Sequence, residues 1–164
     1  MNYIKYKKSI LHAAELMTKA CAEANRKIHK EMNFEVSHEQ YLIMETIMQM
    51  PGAIQTVIAK EILMQCSYVC QLLSKLEKSG LIERKQAIRG TRQIIYENYL
   101  TEEGFAVYKK IKKYYTEITP QFDKVYKQIC KSIDSKYENL DINVITEILL
   151  KLTEKIISEH NLKF

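Results

Sequence analysis

Glycine and proline are scarce in this chain and nearly all lie in its middle, which limits what the chain can fold into. The 164 residues include only four glycines and two prolines, and all of these except Pro120 lie between residues 51 and 104. Because these residue types are the strongest local interruptions of helices and strands, turns are predicted to be concentrated in that central segment. The two flanking segments are predicted to form long helices.

The flanks carry the apolar periodicity of helices. In residues 3–32, apolar side chains recur at steps of three and four, as on one face of a single helix. Thr101 is placed to cap a long helix that continues to about Ile133, and Pro120 is predicted to kink or split it. A last helix is predicted to begin near Asp141 and to bury an apolar face.

The centre is predicted to hold three shorter helices. Ser37 and Gln40 have the spacing of a capping box at the start of the first of them, which the Pro-Gly pair at residues 51–52 should end. A short helix follows over about residues 54–63, and another over about residues 65–79.

A β-hairpin is predicted after these helices. Gly80 is placed as the C′ residue of the preceding helix, where the backbone needs a positive φ. Residues 81–85 are predicted to form the first strand, residues 86–90 a loop, and the Ile- and Tyr-rich residues 92–100 the returning strand. Three helices followed by a hairpin form the winged version of the helix-turn-helix.

The predicted fold class is therefore mainly α with a small β-hairpin, a winged helix-turn-helix flanked by long N- and C-terminal helices. The apolar faces of the flanking helices are too long for so small a centre to cover. A second copy of the chain is the simplest partner, since C2 dimers are the commonest oligomers. Residues 36–104 are assigned to the winged helix-turn-helix domain, and residues 1–35 and 105–164 to a helical dimerisation region.

The helix predicted over residues 65–79 has two different faces. Its apolar face carries Val69, Leu72, Leu73 and Leu76. The other face is polar and mostly uncharged, as required of a helix that reads base edges in the major groove. Glutamine can pair with adenine, serine can contact a base or a phosphate, and lysine suits phosphates. The candidate DNA-binding residues of this helix are Gln65, Ser67, Tyr68, Gln71 and Lys75.

The basic hairpin directly after this helix favours DNA binding over an ordinary solvated helix face. Arg89, Thr91 and Arg92 lie at its predicted tip and are further candidate DNA-binding residues. An arginine on a narrow, extended tip can enter the minor groove, where the negative potential is enhanced. A solubilising loop is the alternative interpretation of the tip. The net charge of +5 is compatible with a polyanionic partner.

Two stretches of the sequence resemble the multiple-antibiotic-resistance regulator (MarR) family. They are IAKEILMQCSYVCQLLSKLEKSGLIER, residues 58–84, and LTEEG, residues 100–104. The family pattern runs Leu-Ala-x-x-Leu, a turn, Thr-Val-x-x-Leu, Leu-Glu-x-x-Gly-Leu, a basic wing and Leu-Thr-x-x-Gly. The matching residues here are Ile58, Ala59, Ile62, Tyr68, Val69, Leu72, Leu76, Glu77, Gly80, Leu81, Leu100, Thr101 and Gly104.

The resemblance implies a homodimer whose first and last two helices form the interface, with each protomer placing one winged helix on a roughly palindromic operator in double-stranded DNA. Three positions depart from the family pattern. Leu63 stands where the family usually has a small residue, often glycine, and Cys66 stands where a basic residue is common. The wing reads RGTR at residues 89–92, where the family usually has Asp-x-Arg-Arg.

Regulators that look like this chain usually respond to a small molecule, an oxidant or a metal. Zinc-sensing members have ligands at the start of helix 2 and histidines on helix 5. Here Tyr41 and Leu42 occupy the helix 2 positions, and residues 102–133 contain no histidine. No metal site and no other cofactor is therefore predicted.

Three of the four cysteines are candidate redox residues. Peroxide-sensing relatives carry a reactive cysteine in helix 1, and Cys21 lies about one turn later than that position. Cys66 and Cys70 lie at the border between the two faces of the predicted recognition helix, where oxidation would put a polar group at a packed boundary. The alternative is that the cysteines are small, reduced core residues.

An organic effector could instead bind in the cleft between the dimer helices and the winged domain. The candidate lining residues are His12, Tyr41, Met44, Met48 and Tyr108. Each of them could also be an ordinary core residue.

The predicted function is a DNA-binding transcriptional regulator, with repression as the favoured role, that binds a pseudo-palindromic operator as a homodimer and is released by a small-molecule or oxidant signal. The alternative is a helical protein-interaction module of the same fold that has lost operator binding. An enzyme is not predicted, because no nucleophile with a base, phosphate loop or metal motif is present. No apolar run approaches the roughly 20 residues of a membrane span, and charges interrupt the basic N-terminus too soon for a secretory signal, so a cytoplasmic protein is expected.

Overall fold

The computed structural model describes residues 10–89, 93–135 and 141–159. The helices and strands are α1 (Ile10–Glu31), α2 (His38–Gln49), α3 (Gln55–Glu61), α4 (Cys66–Lys78), β1 (Ile82–Arg89), β2 (Gln93–Leu100), α5 (Glu102–Ile133) and α6 (Ile142–Glu159). This order confirms the predicted fold class, which is mainly helical with a two-stranded antiparallel hairpin. The part of the first predicted helix that precedes residue 10 lies outside the described residues.

Two predicted helix starts are confirmed by side-chain hydrogen bonds. At α2, the Gln40 backbone N–H donates to Ser37 Oγ over 3.3 Å, and the Ser37 N–H donates to Gln40 Oε1 over 3.0 Å. At α5, the Gly104 N–H donates to Thr101 Oγ1 over 3.0 Å. Each cap satisfies a backbone donor that the first turn of a helix leaves without a partner.

The hairpin is longer than the sequence suggested. Cross-strand pairing runs without a break from Ile82 with Leu100 to Arg89 with Gln93, so the loop predicted over residues 86–90 is wrong for residues 86–89. The pairing continues because Ile and Tyr side chains on β2 suit a paired strand even beyond the core. Residues 90–92, between the strands, lie outside the described residues.

Proline does not divide α5. The helix runs as one element from Glu102 to Ile133 with Pro120 inside it, so a split at Pro120 is wrong. Proline removes the N–H that would bond to the carbonyl of Thr116, and both residues are exposed. Water can therefore satisfy that carbonyl, which makes the loss tolerable in a helix otherwise intact.

The hydrophobic core lies within the winged helix and against the first turns of α5. Its fully buried apolar side chains are Ile43, Met44, Ile47, Ile58, Val69, Leu73, Leu76 and Ile111. The flanking helices differ, because α1 and α6 leave large apolar side chains such as Met17, Ile148 and Leu150 exposed. One copy of the chain thus covers its centre but not the apolar faces of its flanks.

Helices α1, α3 and α4 end with the same backbone motif. The residue after each C-cap has a positive φ, which is 49° at Asn33, 53° at Leu63 and 71° at Gly80. The following N–H then bonds to a carbonyl five residues earlier, as from Leu81 to Leu76 over 3.0 Å. This is the Schellman arrangement, and it confirms the predicted role of Gly80 as a C′ residue.

Leu63 occupies such a position without the freedom of glycine. It lies in the turn between α3 and α4, with its side chain 42% exposed. The left-handed region costs a residue with a Cβ about 1–2 kcal/mol. The turn into α4 therefore retains a glycine-type geometry at the expense of local strain.

Gly104 allows the start of α5 to lie directly against the start of the wing. A Cβ at this position would be 1.9 Å from the carbonyl oxygen of Leu81. That same oxygen accepts the Thr101 N–H over 3.2 Å, and the Thr101 hydroxyl donates to Gly80 O over 2.7 Å. The Leu-Thr-x-x-Gly pattern is thus explained by one close backbone junction.

A polar network joins α1, α2 and α5 within a cluster of aromatic rings. His29 is buried, and its Nδ1 donates to Val36 O over 2.8 Å, while its Nε2 lies 3.2 Å from the Tyr115 hydroxyl, which donates to Asn25 Oδ1 over 3.2 Å. The same hydroxyl lies 3.1 Å from His38 Nδ1, and the other His38 nitrogen lies 3.1 Å from Asn25 Nδ2. The Asn25 contact suits a neutral His38, since a second proton on His38 would face the Asn25 amide N–H.

Burial lowers the pKa of His38 below its ordinary value of 6.5, and the nearby His29 lowers it further. The Glu39 carboxylate on the same helix acts in the opposite direction. Because the unfolded chain then binds this proton more readily than the folded chain, the contribution of His38 to stability is present above the ordinary pKa and is lost as the pH falls through the folded-state pKa.

Replacing Leu63 tests the strained turn. Leu63→Gly should relieve the strain, and Leu63→Val should increase it because a branched Cβ is tolerated least at positive φ. Because glycine also gains freedom in the unfolded chain, Leu63→Gly should raise the free energy of unfolding by less than about 1 kcal/mol. Leu63→Val should lower the free energy of unfolding by more than about 1 kcal/mol. Urea unfolding measures both. A valine variant as stable as the glycine variant would contradict the assignment of strain.

Replacing Gly104 tests the junction between α5 and the wing. Gly104→Ala should lower the free energy of unfolding by about 1–3 kcal/mol, because the added methyl group must displace the backbone at Leu81. Lys109→Ala, on an exposed part of the same helix, is the matched control and should change stability by less than about 0.5 kcal/mol. Equal unfolding midpoints for the two variants would show that the junction is not tightly packed.

The pH dependence of stability tests the polar network. The free energy of unfolding should fall between about pH 7.5 and about pH 5.5, and His38→Gln should reduce that fall by removing one group with a lowered pKa. Gln128→Ala, an exposed and non-ionisable position outside the network, should leave the dependence as it is. Chemical unfolding at fixed protein concentration measures the free energy of unfolding of each variant at each pH. A pH dependence of His38→Gln equal to that of the unmodified protein would refute the role of His38.

Candidate nucleic-acid interface

Helix α4 has one face in the core and the opposite face in solvent. Val69, Leu72, Leu73 and Leu76 are buried, as the spacing predicted. The predicted DNA-contacting residues of this segment are all exposed: Gln65, Ser67, Tyr68, Gln71 and Lys75. Gln65 is the N-cap residue but makes no side-chain capping bond, so its amide points to no partner at the helix start.

The start of α4 is fastened to α3. The Gln55 side-chain amide donates to Cys66 O over 2.9 Å and lies 3.1 Å from Cys66 Sγ. This contact holds the first turn of α4 against the preceding helix. The sequence analysis did not single out Gln55, and a glutamine at the first position of a short helix carries no signal that would identify this role.

The wing is fastened to the same unit by a buried polar residue. Asn98 is fully buried on β2, and its amide donates to Ala53 O over 2.7 Å while Gly52 N–H donates to Asn98 O over 3.0 Å. Ile54 also forms an isolated bridge with Glu97. Asn98 was missed by the sequence analysis, although an asparagine within an apolar strand is a pattern that could have identified it.

Arg84 has a structural position between the wing and α4. Its side chain is only 15% exposed, its Nη1 lies 3.5 Å from Glu77 Oε2, and its guanidinium lies 4.9 Å from the centre of the Tyr96 ring. Lys75 and Lys85 are exposed, and Lys85 Nζ lies 3.3 Å from Glu83 Oε2. Arg89 is the last residue of β1, while Thr91 and Arg92 lie outside the described residues.

The three candidate redox cysteines lie in two different environments. Cys66 and Cys70 are both half-buried, which agrees with a place at the border of the two faces of α4. Cys21 is exposed on α1. The three residues are free thiols, and their redox role stays a prediction.

Within one copy of the chain, the five candidate pocket residues lie in three different settings. Tyr41, Met44 and Tyr108 are buried in the core, where the rings of Tyr41 and Tyr108 stack with centroids 6.0 Å apart. His12 is half-buried on α1. Met48 is exposed and lines a cleft of about 340 Å³ between the end of α2, the end of β2 and the start of α5. Its other lining residues are Ile47, Pro51, Tyr99, Leu100, Thr101, Glu102 and Phe105.

Tyr41 also belongs to a charged contact between α2 and α5. Its hydroxyl donates to Glu45 Oε2 over 2.9 Å, and Lys112 Nζ lies 2.8 Å from Glu45 Oε1. Burial, followed by the Glu45 carboxylate, raises the pKa of the Tyr41 hydroxyl well above its usual range. Tyr41 therefore remains a neutral donor that orients Glu45.

Among the described helices, none has the length and apolar character needed to cross a bilayer. Within the same residues, no group of three or more His, Cys, Asp or Glu side chains is arranged to hold a metal ion.

Solved structures that are similar to this chain include transcriptional regulators. The chain is similar to the transcriptional regulator SlyA, with a TM-score of 0.67, 21% identity and coverage of 93% of this chain and 96% of that one. It is similar to a MarR protein from Peptoclostridium difficile, with a TM-score of 0.68, 20% identity and coverage of 97% and 95%. It is also similar to MepR of S. aureus in a complex with DNA, with a TM-score of 0.62, 19% identity and coverage of 93% and 99%.

The family comparison agrees with the structural one. No curated protein matches this chain. Residues 36–88, which include α2, α3, α4 and most of β1, match the model of the MarR family. The resemblance seen in the sequence is thereby confirmed: the winged helix matches the MarR family, and the chain has the fold of MarR-family transcriptional regulators.

Proposed function

We propose that this chain is a DNA-binding transcriptional regulator, acting as a repressor, that binds a pseudo-palindromic operator as a homodimer. The observation that carries the proposal is the exposed polar face of α4, on a helix whose opposite face is fully buried. A recognition helix needs both features, because it must be held rigidly by its own domain while it offers hydrogen-bonding groups to the major groove.

The side chains on this face divide by the chemistry they offer. Gln71 can make two hydrogen bonds to N6 and N7 of adenine, and Ser67 can contact a base or a phosphate. Lys75 lies two turns from the start of α4 and suits a phosphate. Tyr68 is 44% exposed and can donate its hydroxyl to a phosphate. Gln65, Arg89, Thr91 and Arg92 complete the proposed set.

The contacts of Gln55, Arg84 and Asn98 support this interface from behind. Gln55 joins α3 to α4 through a hydrogen bond of 2.9 Å, and Arg84 joins the wing to α4 through a contact of 3.5 Å. Asn98 joins the wing to the loop before α3 through a hydrogen bond of 2.7 Å. A helix and a wing that are fixed relative to each other can engage adjacent grooves without a further loss of conformational entropy on binding.

The homodimer is proposed from the apolar surface that the flanking helices leave uncovered. We assign residues 36–104 to the DNA-binding domain and residues 1–35 and 105–164 to the dimerisation region. The exposed apolar side chains of the flanks are Leu16, Met17, Ile129, Val144, Ile148, Leu149, Leu150 and Leu152. A symmetric second copy would cover them and would present two α4 helices to half-sites about one helical turn, ~34 Å, apart.

Release by a small molecule or an oxidant completes the proposal. Oxidation of Cys66 or Cys70 would add a polar group at the half-buried border of α4 and disturb its packing. The cleft that Met48 lines touches α2, β2 and the start of α5, so a ligand there would contact both the wing and the helix that follows it. His12, Tyr41, Met44 and Tyr108 are the other proposed contacts of an effector bound between the dimer helices and the winged domain.

Selection of bound fragments from random duplex DNA tests the proposal. The purified protein should enrich a two-fold symmetric site, bound by two chains as measured by analytical ultracentrifugation. Lys75→Ala should weaken binding to all duplexes similarly. It should also make the slope of log affinity against log salt concentration shallower by about one. Gln71→Ala should lower the binding free energy on the best site by on the order of 1–3 kcal/mol. It should also relax the base preference at one position of that site.

Lys19→Ala, on the exposed surface of α1, is the control and should bind as the unmodified protein does. A dimer without affinity for any duplex at low salt would instead establish the alternative, a helical interaction module of the same fold. Equal losses on all duplexes for Gln71→Ala would exclude direct reading by that residue.

A further inference from the structure

The cleft at the base of the wing has mainly apolar walls. It encloses about 340 Å³ between the end of α2, the end of β2 and the start of α5. Met48 is 40% exposed there, and Ile47, Pro51, Leu100 and Phe105 supply further apolar atoms. This volume lies at the lower end of the range for small-molecule sites, so the cleft suits a small organic molecule.

Two of the three polar side chains that line the cleft are already hydrogen-bonded within the chain. The Tyr99 hydroxyl donates to Glu97 Oε2 over 2.8 Å. The Thr101 hydroxyl donates to Gly80 O over 2.7 Å and accepts the Gly104 N–H over 3.0 Å. A ligand that bonded to either hydroxyl would have to replace a contact that the fold already makes.

Glu102 is the third polar side chain, and it is the one residue of the lining with a formal charge. It is exposed, and among the described residues none forms a hydrogen bond or an ion pair with its carboxylate. Its charge also suits the first turn of a helix, but Glu103 supplies the same charge to that turn without lining the cleft. Apolar walls beside one unpaired carboxylate favour a ligand that is apolar and positively charged.

The two aromatic rings of the lining attract cations within the chain itself. Lys109 Nζ lies 4.4 Å from the centre of the Phe105 ring, and Lys85 Nζ lies 5.1 Å from the centre of the Tyr99 ring. These are distances of cation–π contacts, in which the electrons of the ring face attract positive charge. Neither lysine belongs to the lining, and Lys85 Nζ also lies 3.3 Å from Glu83 Oε2. Both rings therefore add to the attraction of a ligand cation.

A ligand in this cleft can act on the wing. Tyr99 packs so closely on Gly52 that a Cβ at Gly52 would be 2.9 Å from the Tyr99 hydroxyl oxygen. The Gly52 N–H donates to Asn98 O over 3.0 Å, which holds β2 against the loop after α2. A ligand that displaced the Tyr99 ring would disturb this contact. Since Arg84 joins the same hairpin to Glu77 of α4, the disturbance would reach the DNA-binding surface.

We propose that this cleft is the effector site and that its effector is a lipophilic cation, a small molecule with an apolar body and a quaternary or protonated amine. The apolar walls hold the body, Glu102 and the two rings hold the charge, and occupancy lowers the affinity for the operator. This inference rests on the proposed function, because it names the chemical class of the small molecule that releases the DNA.

Benzyltrimethylammonium and neopentylbenzene are a matched pair of probes for the full chain. They have the same shape and differ in that one has a cationic nitrogen where the other has a neutral carbon. NMR titration of the protein without DNA measures the affinity for each probe and should show a saturable shift of the Met48 methyl signal. Met48→Ala should weaken binding of both probes, because it removes part of the apolar wall.

Glu102→Gln tests the charge of the site. It should weaken binding of benzyltrimethylammonium by about 2- to 5-fold, as expected for an exposed ionic contact, and should leave the affinity for neopentylbenzene unchanged. Glu103→Gln is the matched control, because Glu103 is exposed on the same turn of α5 and does not line the cleft. It should change neither affinity.

Lys109→Ala tests the sign of the charge in the opposite direction. It removes a positive charge from the Phe105 ring, so it should strengthen binding of benzyltrimethylammonium by about 1.5- to 3-fold. The affinity for neopentylbenzene should stay the same.

Operator binding is the second measurement. Saturating benzyltrimethylammonium should lower the affinity for the best duplex from the selection by about 5-fold or more. The duplex should lower the affinity for the cation by the same factor, because coupling between two binding sites is reciprocal. Tetramethylammonium at the same concentration controls for the effect of salt on DNA binding.

Four results would overturn the inference: no saturable binding of the cation, equal losses in Glu102→Gln and Glu103→Gln, an equal loss for the neutral probe in Glu102→Gln, or an operator affinity equal to that in tetramethylammonium. A protein that binds no duplex at all would instead refute the proposed function. The titrations without DNA separate that failure from a failure of the cleft to bind the cation.

Discussion

The burial of one face of α4 is the constraint on which the rest of the structure depends. Val69, Leu73 and Leu76 contact the core so completely that the helix cannot rotate about its axis without exposing them. Removing one such side chain from a core typically costs several kcal/mol, which is a large part of the stability of a small domain. The polar face of α4 is therefore presented in one orientation, and every property of the proposed interface follows from that orientation.

Backbone contacts around α4 extend this rigidity to its neighbours. The Schellman motif at Gly80 turns the chain directly into the wing, and the close approach of Gly104 to Leu81 returns it into α5. Asn98 joins the wing to the loop before α3 by a buried hydrogen bond. Since a buried amide that lost its partner would cost about 1–3 kcal/mol, this bond strongly limits movement of the wing.

The apolar surface that one copy leaves uncovered has two parts with different physical settings. On α6, Ile148 and Leu150 are exposed on a helix that also carries the ion pair of Lys151 Nζ with Glu147 Oε1, 2.6 Å apart. On the hairpin, Ile88, Ile94 and Tyr96 are exposed on two paired strands.

The sequence by itself determined the order of the elements, the caps at Ser37 and Thr101, the C′ role of Gly80 and the buried face of α4. These depend on local spacing and on backbone chemistry within a few residues, which a sequence displays directly. It did not determine the length of the hairpin, the continuity of α5 through Pro120 or the left-handed conformation of Leu63. It also did not reveal the partners of Gln55, Arg84 and Asn98. Only the tertiary structure decided these, because each depends on groups far apart in the chain, such as Asn98 and Ala53, whose meeting is a result of packing rather than of local preference.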